Sequence, residues 1–208
     1  LWAVPPTEQV RQDAAPPAEP KQAFALVAMR GQAKGFQVVV RPEEELRRAR
    51  IEFEPLRQEN GAARIDPRWL AWHFVDYVKI DKNSRATPAE ELVWPAPDEY
   101  PEELSDDLVR DLPAGKTQPI YIRATAPVDA VPGVYRGRAW LTSAGTRQPF
   151  DITLRVSAVD LSTPARLPFV YWFSWTEPCK RFEVEQFSAD GWRVLARLGE
   201  LMRVHRQN

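Results

Sequence analysis

Asp98 and Glu99 form an adjacent acid pair, the arrangement by which one carboxyl can protonate a leaving group while the other stabilises charge. A general acid needs a desolvated carboxyl, so that its pKa rises. This pair instead lies in the proline-rich stretch Trp94–Pro101, with Glu102, Glu103, Asp106 and Asp107 close behind. An acidic run of this kind is ordinarily a solvated face, and that reading outweighs the catalytic one. No residue of the chain is therefore assigned a catalytic role.

Aromatic residues offer a second chemistry, because their faces stack on the C–H faces of sugar rings. Trp172, Trp175 and the acidic Glu177 follow one another across the end of an apolar strand pattern. In an α/β barrel the loop after the first strand faces the active site, which makes these three the candidate substrate-binding residues. Alternate aromatics along a strand also serve as core, and that reading stands beside the binding one. Trp69, Trp72, Trp94 and Trp140 likewise suit either a sugar platform or a core. Core is the stronger reading, and Trp94 fits it least.

Nucleophile and metal chemistry find little support. Cys179 is the only cysteine, which excludes an intrachain disulfide and makes it a packed thiol. The two histidines, His73 and His205, are too far apart in sequence for a metal site, and nothing requires a cofactor. His73 shares a strand face with Val75 and Tyr77, as a satisfied core or interface histidine would. His205 and Arg206 place positive charge at a helix C-terminus.

The elements that would position these residues change rhythm near residue 161. Before it, short alternating patterns recur at Trp2–Val4, Ala23–Met29, Gly35–Arg41, Arg50–Glu54, Trp69–Ile80 and Gln118–Thr125. In the Gly35–Arg41 pattern Phe36, Val38 and Val40 share one face, and Gln37 lies on the other. Val134–Thr142 follows the turn signal Pro132-Gly133 and is expected to pair with the strand before it. Phe150, Ile152, Leu154 and Val156 alternate with polar residues, the signature of a half-buried antiparallel strand. Residues 1–20 read as an extended, proline-rich lead-in, and Lys82–Gly115 as a long packed excursion or functional loop. Seven to nine short strands of this kind indicate a β-sandwich, with a barrel as the lesser alternative.

After a linker at 161–168, the apolar run Leu167–Trp175 suits a strand buried on both faces. Asp190–His205 then has helical periodicity, with Ser188 or Asp190 as its cap. One strand and one helix cannot bury their own apolar faces. The expected fold is mainly β: an antiparallel β-sandwich over 1–160, then over 169–208 one βα unit that begins a truncated (β/α) barrel.

Composition narrows the partners. Twenty-eight Lys and Arg against 29 Asp and Glu give a net charge of −1, no basis for binding nucleic acid. The cluster Arg47, Arg48 and Arg50 follows Glu43–Glu45 and reads as a self-paired surface. No stretch is long and apolar enough for membrane insertion. Twenty prolines against nine glycines suit short strands with stiff connectors.

Several segments together resemble a known family. They are Leu1–Val4, Arg30–Val40, Gln118–Ile122, Ala126–Gly137, the closing strand Asp151–Leu161 and the last helix end Leu201–Asn208. They are similar to the N-terminal β-sandwich and first barrel helix of glycoside hydrolase family 123 and related uncharacterised glycosidase-like proteins. The resemblance implies action on β-linked N-acetylhexosaminides, N-acetylgalactosaminide above all, by substrate-assisted retaining hydrolysis. There the substrate's acetamido oxygen attacks the anomeric carbon, one carboxylate orients it, and a neighbouring glutamic acid protonates the leaving oxygen. This differs from the usual protein nucleophile. The acid pair of that family lies on a later barrel strand, beyond Asn208, so this chain alone is expected to be inactive. The glycan would be its partner through the missing barrel. The resemblance also implies a bacterial protein exported to the periplasm or beyond the cell. The alternative is a non-catalytic carbohydrate-binding or structural β-sandwich module of a surface protein.

Overall fold

The computed structural model describes residues 1–161 and 174–204. The first strands are β1 (Trp2–Val4), β2 (Ala23–Arg30), β3 (Ala33–Val40) and β4 (Leu46–Phe53). Next come β5 (Leu56–Gln58), β6 (Arg64–Ile65), β7 (Leu70–Ile80) and β8 (Asp98–Leu104). The last are β9 (Arg110–Leu112), β10 (Gln118–Thr125), β11 (Gly133–Ser143) and β12 (Thr146–Asp160). Two helices complete the order, α1 (Thr176–Arg181) and α2 (Ala189–Val204).

The strands form two sheets, ordered β1-β3-β10-β7-β8 and β2-β12-β11-β4-β9, with β5 and β6 extending from β11. Packed together they make the expected mainly β sandwich. Their inner faces carry Phe36, Phe74, Ile120, Ile122, Ile152 and Leu154, all at 0–1% exposure. Phe24 stacks on Phe36 with centroids 4.5 Å apart, and Trp72 meets Phe74 edge-on at 5.1 Å. β12 follows its sequence pattern closely: Phe150, Ile152, Leu154 and Val156 are buried, while Asp151 and Arg155 face outward. Gly137 lies inside β11 because a Cβ there would come within 3.2 Å of Pro55 O and Leu56 Cα.

Three expectations need correction. Strands β10 and β11 do not pair; β10 lies between β3 and β7, and β11 between β12 and β4. The connection from Ala126 to Pro132 is too long for a tight hairpin and carries the chain from one sheet to the other. Strand β2 runs parallel to β12, inside an otherwise antiparallel sandwich. The described residues hold twelve strands rather than about seven to nine, because the Lys82–Gly115 excursion contributes β8 to one sheet and β9 to the other, and the short β5 and β6 add two more.

The N-terminal lead-in supplies the expected strand β1 at the edge of the first sheet and packs on the outer face of that sheet. Trp2, Val4, Val10 and Val39 form a second apolar cluster there. Gln37, on the other face of β3 from Phe36, is 4% exposed. Its amide donates to the carbonyls of Pro5, Pro6 and Glu8 at 3.2, 3.3 and 2.7 Å. A buried amide needs such partners. The Tyr77 hydroxyl adds a bond to Val10 O at 2.8 Å.

By its contacts the chain divides into two compact units, Leu1–Ser162 and Thr163–Asn208. Apart from Leu161, the expected linker at 161–168 lies outside the described residues, as does nearly all of the Leu167–Trp175 strand. Within the second unit, Ser188 caps α2: the Gly191 amide donates to its hydroxyl at 3.0 Å. Alone, α1 and α2 leave much apolar surface open, with Trp192 at 52% and Leu201 at 55% exposure.

Candidate functional site

Trp175 and Glu177 sit at the start of α1, in the second unit. Trp175 occupies the N-cap position, and Glu177 stands in the first turn, exposed and paired with Lys180 Nζ at 3.0 Å. Thr176, expected in a loop, already belongs to the helix. Trp172 lies outside the described residues, as do His205 and Asn208. The structure thus brings together two of the three candidate binding residues.

Two aromatics that sequence reasoning left unassigned join Trp175. Its ring centroid is 4.8 Å from that of Phe187 and 4.9 Å from that of Trp192. Phe187 has a φ of 64°, an uncommon conformation for a bulky residue, and its ring is 70% exposed. The Trp175 indole Nε1 is buried without a hydrogen-bond partner. An exposed aromatic cluster of this kind can stack on an apolar ligand face. Trp192 was legible as part of the helical stripe. Phe187 gave no signal, because its role depends on a backbone conformation.

In the first unit the Asp98-Glu99 pair is far from the environment a general acid needs. The Glu99 amide donates to Asp98 at 2.8 Å, and Arg11 Nη1 approaches at 2.7 Å. The amide bond and the guanidinium together hold the Asp98 carboxyl below its usual range, against a smaller opposing effect of burial. A proton donor would need the opposite shift.

The tryptophans divide by environment. Trp69 and Trp72 pack against the core. Trp140 does not: it stands on the outer face of the second sheet, with Arg147 4.0 Å from its ring centroid and its Nε1 donating to Glu54 at 3.2 Å. Trp94 is stacked by Tyr100 at 4.8 Å and covered by Arg11 at 5.1 Å. A flat sugar platform needs an open ring face, and arginine side chains lie over both outer tryptophans.

His73 Nδ1 lies 2.9 Å from Ser105 O and donates to it, as a satisfied structural histidine. Beside it, Arg110 bonds Asp76 and the Ser105 hydroxyl, and its guanidinium lies 4.5 Å from the Phe74 ring centroid. That bonding holds the Asp76 carboxyl below its ordinary value. Cys179 is 3% exposed, a packed thiol. Among the described residues, no three His, Cys, Asp or Glu side chains gather as metal ligands, and no helix is long and apolar enough to cross a membrane.

These features describe a β-sandwich protein with an appended helical unit. Residues 7–143 match the model of the glycoside hydrolase 123 N-terminal domain, and the chain belongs to that family. A family 123 glycoside hydrolase from Clostridium perfringens, studied for glycolipid glycan hydrolysis, shares the fold with a TM-score of 0.73 at 14% identity. That match covers 88% of this chain and 32% of the clostridial one, so the chain spans about a third of that protein's length. The CooA pilin subunit of enterotoxigenic Escherichia coli overlaps with a TM-score of only 0.31, at 15% identity over 74% of this chain and 97% of its own. Self-complemented MyfA of Yersinia enterocolitica reaches 0.27, at 13% identity over 64% and 92%. Neither overlap carries an argument. No curated protein matches the chain.

Proposed function

We propose that this chain is the N-terminal accessory portion of a glycoside hydrolase acting on β-linked N-acetylhexosaminides, N-acetylgalactosaminide in particular. The match of residues 7–143 to the family's N-terminal domain carries this reading, and the shared sandwich fold supports it. The sandwich braces a catalytic (β/α) barrel of which the second unit is the beginning. Partly exposed apolar residues along α2 suit a helix that further barrel elements cover.

In the parent enzyme the substrate's acetamido oxygen attacks the anomeric carbon, and a glutamic acid on a later strand protonates the departing oxygen. The Asp98 carboxyl does not suit that role, because the Glu99 amide and then Arg11 hold it towards its charged form. The chain by itself is inactive. Trp175, with Phe187 and Trp192, stacks on the sugar, and Glu177 and Trp172 are the further candidate binding residues of the sequence. The parent is bacterial and exported.

The coding sequence past codon 208 is the first test. It should hold about 300 further residues of alternating strands and helices, with an adjacent Asp-Glu pair at a strand end. The longer protein should release the chromophore from an aryl β-N-acetylgalactosaminide, and the 208-residue chain should not. Activity in the short chain, or none in the long one, overturns the reading. In the long protein Trp175→Ala should raise KM about tenfold, as expected for losing 1–1.5 kcal/mol of stacking.

A further inference from the structure

The strands that end the two sheets are guarded unequally. An edge strand presents unpaired N–H and C=O groups, and proteins ordinarily protect it by shortness, charge or proline. β1 and β9 are three residues long. β8 carries Asp98, Glu99, Pro101, Glu102 and Glu103. β2, the end strand of the second sheet, has none of these devices from Ala23 to Met29: the stretch holds no charge and no proline. Ala23, Ala25 and Val27 are exposed along it, Val27 to 60%.

Successive residues of a strand turn their backbone groups to opposite sides. Gln22 O accepts from the Asp151 amide and Arg30 O from the Leu161 amide, so the even-numbered residues of β2 face β12 and the odd-numbered ones face the open side. That side is closed at both ends. The Ala3 amide covers Lys21 O at 2.7 Å, and Gln32 takes both groups of Met29, its amide donating to Met29 O and its Oε1 accepting from Met29 N, each at 3.0 Å. Between these ends the N–H and C=O groups of Ala23, Ala25 and Val27 meet no hydrogen-bond partner among the described residues. Ala25 is the midpoint of the free stretch. A second β2 laid antiparallel with Ala25 against Ala25 sets Ala23 against Val27 and Val27 against Ala23. Each such pair exchanges both bonds, so every free group of both copies is satisfied. The charges agree with that register. β12 places Asp151 beside Ala23 and Arg155 beside Val27, so Arg155 of one copy shares a cross-strand row with Asp151 of the other, and no like charges share a row. We propose that the open edge of β2 is a self-pairing surface, at which two copies of this chain join antiparallel about a two-fold axis at Ala25. The surface is narrow, so the dimer is weak and depends on concentration.

The test is sedimentation equilibrium of the 208-residue chain from about 1 µM to about 1 mM. The mass should rise from monomer to dimer and stop there, because a two-fold pair uses both edges and closes. The Ala25 and Val27 amides should exchange with solvent more slowly at the high end of the range. Ala25→Lys and Ala25→Glu each set like charges opposite one another at the axis, and each should weaken the dimer about fivefold. Residue 25 is exposed, so the melting temperature of either variant at low concentration should match that of the unaltered chain. An equal mixture of the two variants should restore the dimer, since opposite charges then meet. A chain still monomeric at the highest concentration, growth past the dimer, dimerisation that Ala25→Lys leaves intact, or a mixture no better than either variant alone overturns the proposal.

Discussion

At the scale of single residues, the carboxylates of this domain are set for cohesion and not for proton transfer. Arg110 bonds Asp76 and, with Ser105, holds its carboxyl below the ordinary value, against the opposing effect of burial. The folded-state pKa is therefore below that of the unfolded chain. The stability this gives is complete above about pH 4 and is lost as the pH falls through the depressed folded value. Asp76→Asn should accordingly lower the melting temperature at pH 7 and do so less and less toward pH 2.5. A melting difference that stays constant across that range would refute the assignment. Tyr77 has the opposite sense: burial first, then the carboxylates of Asp13 and Glu99, raise its pKa, so its contribution is lost as the pH climbs above about 10. None of these pairings is visible in the sequence, because Arg11 and Asp98, or Asp76 and Arg110, are dozens of residues apart.

Among the elements, those with one wet face were legible and those with two covered faces were not. β12 alternates because its outer face meets solvent, so its pattern gave both the strand and its burial. In β3 the pattern sets Phe36, Val38 and Val40 on one face, yet Gln37 and Val39 on its second face are also buried, under the N-terminal loop. The excursion that supplies β8 and β9 hides its strands in proline and acid, whose weak β-propensity is overridden by sheet partners. α2 was clear from its period. Its start rests on Ser188, whose hydroxyl satisfies the Gly191 amide. Ser188→Ala should cost the helix about 1 kcal/mol, seen as faster amide exchange in the first turn of α2. Unchanged exchange there would remove Ser188 from that role.

At the scale of the whole molecule, the core of the first unit is complete within Leu1–Ser162. A protein of residues 1–162 should therefore fold alone and melt within about 3 °C of the full chain, a shift below that of 1 kcal/mol. A larger loss in scanning calorimetry would show that the sandwich depends on residues 163–208 for its stability. The sequence by itself determined that the chain is mainly β, that its rhythm changes near residue 161, and which family it resembles. Alternation and helical period record which face of an element is wet, and a family's segments persist as local strings. The tertiary structure alone decided that β10 and β11 part into different sheets and that β2 runs parallel to β12. It alone decided that the N-terminal lead-in packs on the outer face of the first sheet, and that Asp98 is an ion-pair partner. Those outcomes depend on contacts between residues distant in sequence, and no local pattern records which distant partner a residue will meet.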